Sequence, residues 1–455
     1  MKSKLLILLV VISQIGIASC NPAPQEENAP MPEESVISER TQAPESVVPS
    51  DEAKDVVRSS KARENAPAVA ANDIDTLSAG NNAFAFKFYQ ANRDAPGNLF
   101  FSPYSTSIAL AMTYAGAAGN TANQMAETLQ FTLPQERLHP AFNALDLALA
   151  SRTKTSPGDD EDGFQLNVVN AIWGQNGYNF LETYLDTLAK NYGAGLRLMD
   201  FTKNSEGSRV TINNWVSDQT AQKIKDLIPE GAINPDTRLV LTNAIYFKAI
   251  WESRFDKNST TNSVFHLLDG KQILVPMMSQ QGEFAYASGD DYKAVELFYK
   301  GHQLSMIILL PAEGQFETFE KNLDAERLSQ IIGQLSSQQI ILTIPRFKFS
   351  SDFSLSKQLA DMGMPDAFDP KKADFSAMDG THDLFIQDVF HKAFVAVDEE
   401  GTEAAAATAV IVGKLSAPPT RPIDFSADRP FIFLIRDVET NSILFLGRVM
   451  DPSKE

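Results

Sequence analysis

Cysteine is almost missing from this chain, whose 455 residues hold one, Cys20. Internal disulfides and any cysteine-based metal site are therefore excluded. Histidine is scarce too, with five residues at positions 139, 266, 302, 382 and 391. None sits in a His-Glu-x-x-His arrangement, so zinc-protease chemistry has no support. A Gly-x-Ser-x-Gly elbow and a phosphate-binding glycine loop are both absent. Ser354 and Lys357 fit a Ser-x-x-Lys pattern, but its companions Ser-Asp-Asn and Lys-Thr-Gly are missing. Positive charge is in deficit: the net charge of −19 argues against nucleic acid or an anionic membrane surface as partner. No catalytic residue, metal ligand or cofactor is expected.

Only one long apolar run occurs, from Leu5 to Ile17 behind Lys2 and Lys4. It is short for a bilayer span but has the form of an export signal. It ends in Ile17, Ala18, Ser19 and Cys20, which resembles a bacterial lipoprotein processing box. The resemblance implies removal of residues 1–19 and lipid on Cys20; an ordinary signal peptide with an incidental cysteine is the alternative. Asn21 in place of aspartate points to the outer membrane or cell surface, on the periplasmic or extracellular face. Residues 20–72 are rich in Pro, Glu, Ser and Ala, with seven prolines, and are expected to form a disordered tether. A flexible coil of about fifty residues spans roughly 40 Å.

From residue 73 to 455 the pattern is that of one globular domain without internal repeats. Helical periodicity covers 77–92, 134–151, 181–192, 209–228, 316–333 and 354–361. A short strand at 98–101 leads to a helix capped by Ser102 with Pro103 at its first position. Its continuation from Ile108 to Ala117 is apolar nearly all round, so it belongs inside. Strand patterns fall at 164–173, 238–248, 264–266, 275–278, 304–310, 340–345, 394–397 and 429–435. Arg238 to Lys248 is apolar along most of its length, as in a strand covered on both faces. The acidic stretch 156–163 reads as a solvated turn, since it lacks calcium-loop spacing.

One stretch contradicts itself. Between Val397 and Ser416 a helix-favouring alanine run, Ala404 to Ala407, follows the breaker Gly401 and precedes strand-favouring Val410, Ile411 and Val412. Alternate positions Thr402, Ala404, Ala406 and Thr408 are small. Read alone, this is an Ala-rich surface loop or a segment able to become a strand. The residues Glu399, Glu400, Gly401, Thr402, Glu403, Ala404, Ala405, Ala406, Ala407 and Thr408 resemble the reactive-loop hinge of inhibitory serpins. Phe425 to Phe431 resembles that family's C-terminal signature, and the likeness spans about 73–455.

The resemblance implies an α+β serpin-like fold: a large mixed central sheet, further sheets, about eight or nine helices, and an exposed reactive-centre loop over about 399–424. It implies a suicide-substrate inhibitor of serine proteases, and of some cysteine proteases, that is monomeric and not an enzyme. By motif matching, Ser102, Ser105, Asn243 and His391 fall on the shutter, where strands part to admit the loop, and Trp251 falls on the breach, where insertion starts. The reactive bond falls at Leu415–Ser416, which favours chymotrypsin-like targets. Lys414 is the alternative, suiting trypsin-like proteases; elastase-like cleavage at Val410 or Val412 would shorten the inserted segment. The rival functions are a non-inhibitory serpin acting as a binding or chaperone module, and a surface lipoprotein hydrolase.

Overall fold

The computed structural model describes residues 56–70, 72–152, 165–402 and 421–455. Among the described residues, two sheets carry the architecture. The first has seven strands in the order β1-β4-β3-β5-β13-β12-β11. These are β1 (Val56–Val57), β3 (Gln165–Gln175), β4 (Leu196–Met199), β5 (Leu239–Ile250), β11 (Phe347–Ser354), β12 (Ile386–Val397) and β13 (Gly401–Thr402). The second has nine, in the order β14-β10-β7-β8-β9-β15-β16-β2, with β6 paired to β7. They are β2 (Leu99–Phe101), β6 (Thr261–His266), β7 (Gln272–Ser288), β8 (Tyr292–Phe298), β9 (Leu304–Pro311), β10 (Ser336–Pro345), β14 (Ile423–Ser426), β15 (Phe431–Asp437) and β16 (Ile443–Val449).

The helices are α1 (Asp73–Asn92), α2 (Pro103–Tyr114), α3 (Gly119–Leu129), α4 (Gln135–Arg152), α5 (Glu182–Tyr192), α6 (Ser205–Gln219), α7 (Phe316–Lys321), α8 (Ala325–Gly333), α9 (Ser356–Met362) and α10 (Ser376–Asp379). Ten are thus seen among the described residues against eight or nine expected, and α7 and α10 are only six and four residues long. The single helix expected over 316–333 is two. The first ends at Lys321, and Asp324 caps the second, accepting from the Arg327 N–H at 2.8 Å. The helix expected over 209–228 starts at Ser205 and stops at Gln219. Ala221 and Gln222 take positive φ, and the Thr220 hydroxyl accepts the Ile224 N–H at 3.2 Å, so the chain turns away.

The apolar patterns decide which face each strand buries. In β5, eleven of twelve residues are buried. Leu239, Leu241, Ile245 and Phe247 join the main core, while Val240 and Ala244 face a second core beneath α6 with Ile212 and Val216. Every residue of α2 is buried, as its all-round apolar pattern requires.

Residues 56–64, assigned to the tether from composition, pair with the body instead. β1 pairs with β4, and beyond it the Arg63 guanidinium donates to Asn143 Oδ1 at 2.8 Å and Asp146 Oδ2 at 2.6 Å on α4. Asn143 Nδ2 in turn donates to the Glu64 carbonyl at 2.7 Å, and Lys61 pairs with Asp186 on α5. These polar partners lie far away in sequence, which is why composition misses the strap.

Candidate functional site

The seam between β5 and β12 is where the site lies. The two strands run parallel and pair directly from Ile386 to Ala393, with His391 beside Asn243. Above that, β13 stands between them: Gly401 pairs with Ile250, and Thr402 with both Ala249 and Val397. The sheet is closed along the lower seam and already admits a third strand at its upper end.

Four residues singled out from sequence meet at the closed part. Ser102, the cap of α2, accepts the Ser105 N–H at 3.1 Å and donates its hydroxyl to the Leu444 carbonyl at 2.7 Å. The Ser102 N–H donates to His391 Nε2 at 3.2 Å. With Nε2 accepting, the ring proton sits on Nδ1 and bonds across the seam to Asn243 Oδ1. Asn243 Nδ2 donates to Ser105 Oγ at 2.5 Å and to Asn170 Oδ1. Ser102, Ser105, Asn243 and His391 are all buried, and burial pushes the imidazole down to about 3. It is therefore neutral. Asn170, on β3, is a member that sequence reasoning missed; its pairing with Asn243 is a matter of strand register.

At the upper end, Trp251 holds the hinge by main chain and side chain. Its N–H donates to the Glu400 carbonyl at 2.9 Å and its indole Nε1–H to the Asp398 carbonyl at 3.0 Å. Its ring stacks on Tyr299, with centroids 4.6 Å apart, and the Tyr299 hydroxyl lies 2.8 Å from Thr402 Oγ1. Tyr299 was not anticipated; only the fold brings it to Thr402. Gly401 is required here, because a Cβ would collide with the Ala249 carbonyl oxygen.

The hinge carboxylates are buried and paired. Glu399 accepts from Arg346 and from Thr260 Oγ1. Burial would raise its carboxyl, but the Arg346 guanidinium and the Thr260 hydroxyl hold it below the usual range. Glu400 pairs with Arg254 at 3.0 Å and Lys257 at 2.9 Å. Asp398 is pushed up by burial although it accepts the Glu400 and Gly401 N–H groups. The segment expected to be exposed from Glu399 onward is thus buried as far as Thr402, which is 1% exposed. Apolar packing, ion pairs and strand pairing all hold it in.

Glu403, Ala404, Ala405, Ala406, Ala407, Thr408, Lys414, Leu415, Ser416 and Cys20 lie outside the described residues. Ser354 and Lys357 form no site: Ser354 Oγ donates to Asp388 at 2.5 Å, and Lys357 pairs with Asp361 at 2.5 Å on the surface.

Comparison with known proteins bears on this seam. A family model described as Serpin (serine protease inhibitor) matches residues 79–452. An uncharacterized serpin-like protein of Thermococcus kodakarensis is 43% identical over 373 residues, which span 82% of this chain and 84% of that protein. The leukocyte elastase inhibitor of Homo sapiens is 40% identical over 390 residues, covering 83% of this chain and all of the inhibitor (100%). Among solved structures, a thermophilic serpin, tengpin, in its native state superposes with a TM-score of 0.75 at 27% identity, over 87% of this chain and 97% of tengpin.

Proposed function

The chain belongs to the serpin family of serine protease inhibitors, and we propose that it inhibits as a suicide substrate. It is consumed once per target and is not an enzyme. The protease serine attacks the Leu415 carbonyl, the Leu415–Ser416 bond breaks with the Ser416 amine leaving, and an ester joins Leu415 to the protease. The freed loop then enters the sheet between β5 and β12 before water can cleave that ester. Chymotrypsin-like proteases are the favoured targets; cleavage after Lys414 is the trypsin-like variant.

One observation carries the reading: Gly401 and Thr402 already occupy the head of the slot, in register with β5. Continued downward, that register would lay 402–412 along β5 from Ala249 to Leu239. Thr408 would then come level with Asn243 and His391, on the same face as Thr402, able to take up the hydrogen bond that parting the strands breaks. The face that would turn inward bears Thr402, Ala404, Ala406 and Thr408, with no charge and no proline. A strand of about fourteen residues adds about a dozen hydrogen bonds at roughly 1 kcal/mol each plus burial, on the order of 10–20 kcal/mol. That is comparable with the stability of a protease domain, about 5–15 kcal/mol.

We further propose that residues 1–19 are an export signal and that lipid on Cys20 anchors the inhibitor at the outer membrane or cell surface. The sequence motif and the placement of the chain's one cysteine support this.

The direct test mixes the protein with chymotrypsin. An adduct that survives a denaturing gel is expected, together with a released peptide whose mass begins at Ser416. Cleavage without an adduct would instead favour a non-inhibitory binding or chaperone role. Hydrolytic activity without any partner, lost on replacing one histidine, would favour a surface hydrolase.

A further inference from the structure

We propose that the tether enters the body at the end of the sheet to which insertion carries a trapped protease, so that tether length limits inhibition by the anchored form. The inference rests on the loop insertion and lipid anchoring proposed above.

Strand register carries it. The hinge row pairs Gly401 with Ile250. Ten residues along β5, about 33 Å of strand rise, lies a row that runs from Val240 through Trp173 and Arg197 to Val56. Continued from the hinge, the inserted strand would bring Ile411 into that row. Leu415, with the protease on it, would fall level with Asp236, past the first residue of β5. Because β1 is antiparallel to β4, Val56 lies nearer this far end than Val57. Sideways, the inserted strand would stand four strands from β1, about 19 Å.

The entry point is held in place. The Glu64 N–H donates to the Lys190 carbonyl at 2.9 Å, and Arg63 and Lys61 reach carboxylates on α4 and α5. Gly195 makes room for the strap, since a Cβ there would strike Arg58 and the Val57 carbonyl. A protease delivered to this end therefore arrives at the end of the sheet toward which the first residue of β1 points.

Size then decides. A domain of about 200 residues is roughly 40 Å across. For the 36 residues from Cys20 to Asp55, the coil expected from composition would have a mean span of about 33 Å. At full extension they reach about 120 Å, so a protease can be accommodated only by stretching the tether. Removing residues 24–50 leaves nine, reaching at most about 30 Å, less than the protease is wide.

The experiment compares full-length lipidated protein with the 24–50 deletion, both on phosphatidylethanolamine–phosphatidylglycerol vesicles, and the same pair carrying Cys20→Ser in solution. Each is titrated with chymotrypsin, and the adduct formed per inhibitor cleaved is read. On vesicles the deletion is expected to lower that fraction about threefold or more, because a linker that cannot span abolishes the linked event. In solution it should change nothing, and a glycine–serine stretch of equal length should restore the vesicle value. Equal fractions on vesicles overturn the proposal. So does a deletion effect that persists in solution, which would make the segment part of the body's own stability. No adduct from either soluble form would refute the inhibitory reading, and a lipidated chain that leaves the vesicles would refute the anchoring; either result removes this inference with it.

Discussion

Asn243 and His391 join two strands by side chains as well as by the main-chain ladder, and the neutral ring is what lets them. Burial holds His391 near 3 and His139 near 4, against about 6.5 when free. Between pH 6.5 and those values the unfolded chain binds more protons than the folded one, so stability falls as pH falls. Each histidine accounts for about 2 kcal/mol of loss at pH 5. For a body of about 380 residues, that is a drop of roughly 2–3 °C in Tm per group. Glu399, whose folded carboxyl lies below the usual range, contributes stability that begins to be lost once pH falls to the ordinary carboxylate value of about 4.5. We predict that His391→Gln removes about half of the histidine part of the decline between pH 6.5 and 5, read as thermal midpoints. A variant whose slope matches the parent's would show that the ring is not the titrating group. The cap function of Ser102 was legible from its place before Pro103; the bond across the seam was not, because it joins residues 148 apart.

At the scale of an element, β13 is only two residues long, yet it sets the register of everything that would follow it into the sheet. Thr402 is buried, with its hydroxyl against that of Tyr299. Thr402→Arg is therefore expected to lower adduct yield by at least about tenfold while cleavage at Leu415 continues, since an unpaired buried guanidinium costs several kcal/mol. Unchanged yield would count against insertion through this slot. The strap shows the opposite case. Val56 and Val57 are one apolar pair amid proline- and charge-rich sequence, so composition hides them. Their order comes from the open edge of β4 and from Asn143, Asp146 and Asp186 waiting on two helices. Likewise the overlong expectation for α6 failed because a positive φ at Ala221 and Gln222 leaves no mark in apolar periodicity.

For the whole molecule, the insertion proposed above would part the closed lower seam and add a full strand to the sheet. If cutting the loop completes it, the gain of about 10–20 kcal/mol should raise Tm by roughly 12–25 °C for a body of about 380 residues. Calorimetry of intact and loop-nicked protein reads this directly, and coincident melting curves would mean that no such gain was stored. What the chain's own pattern determined is considerable: the apolar β5, the wholly buried α2 and the cap at Ser102. Each of these is a local signal, written in periodicity or in the size of neighbouring side chains. Tertiary structure alone decided that Thr402 is already inside, that Asn170 and Tyr299 belong to the site, and that residues 56–64 clasp the body rather than hang from it. Those outcomes depend on which distant groups meet a buried polar atom or an unpaired strand edge, and no local window of sequence contains both partners.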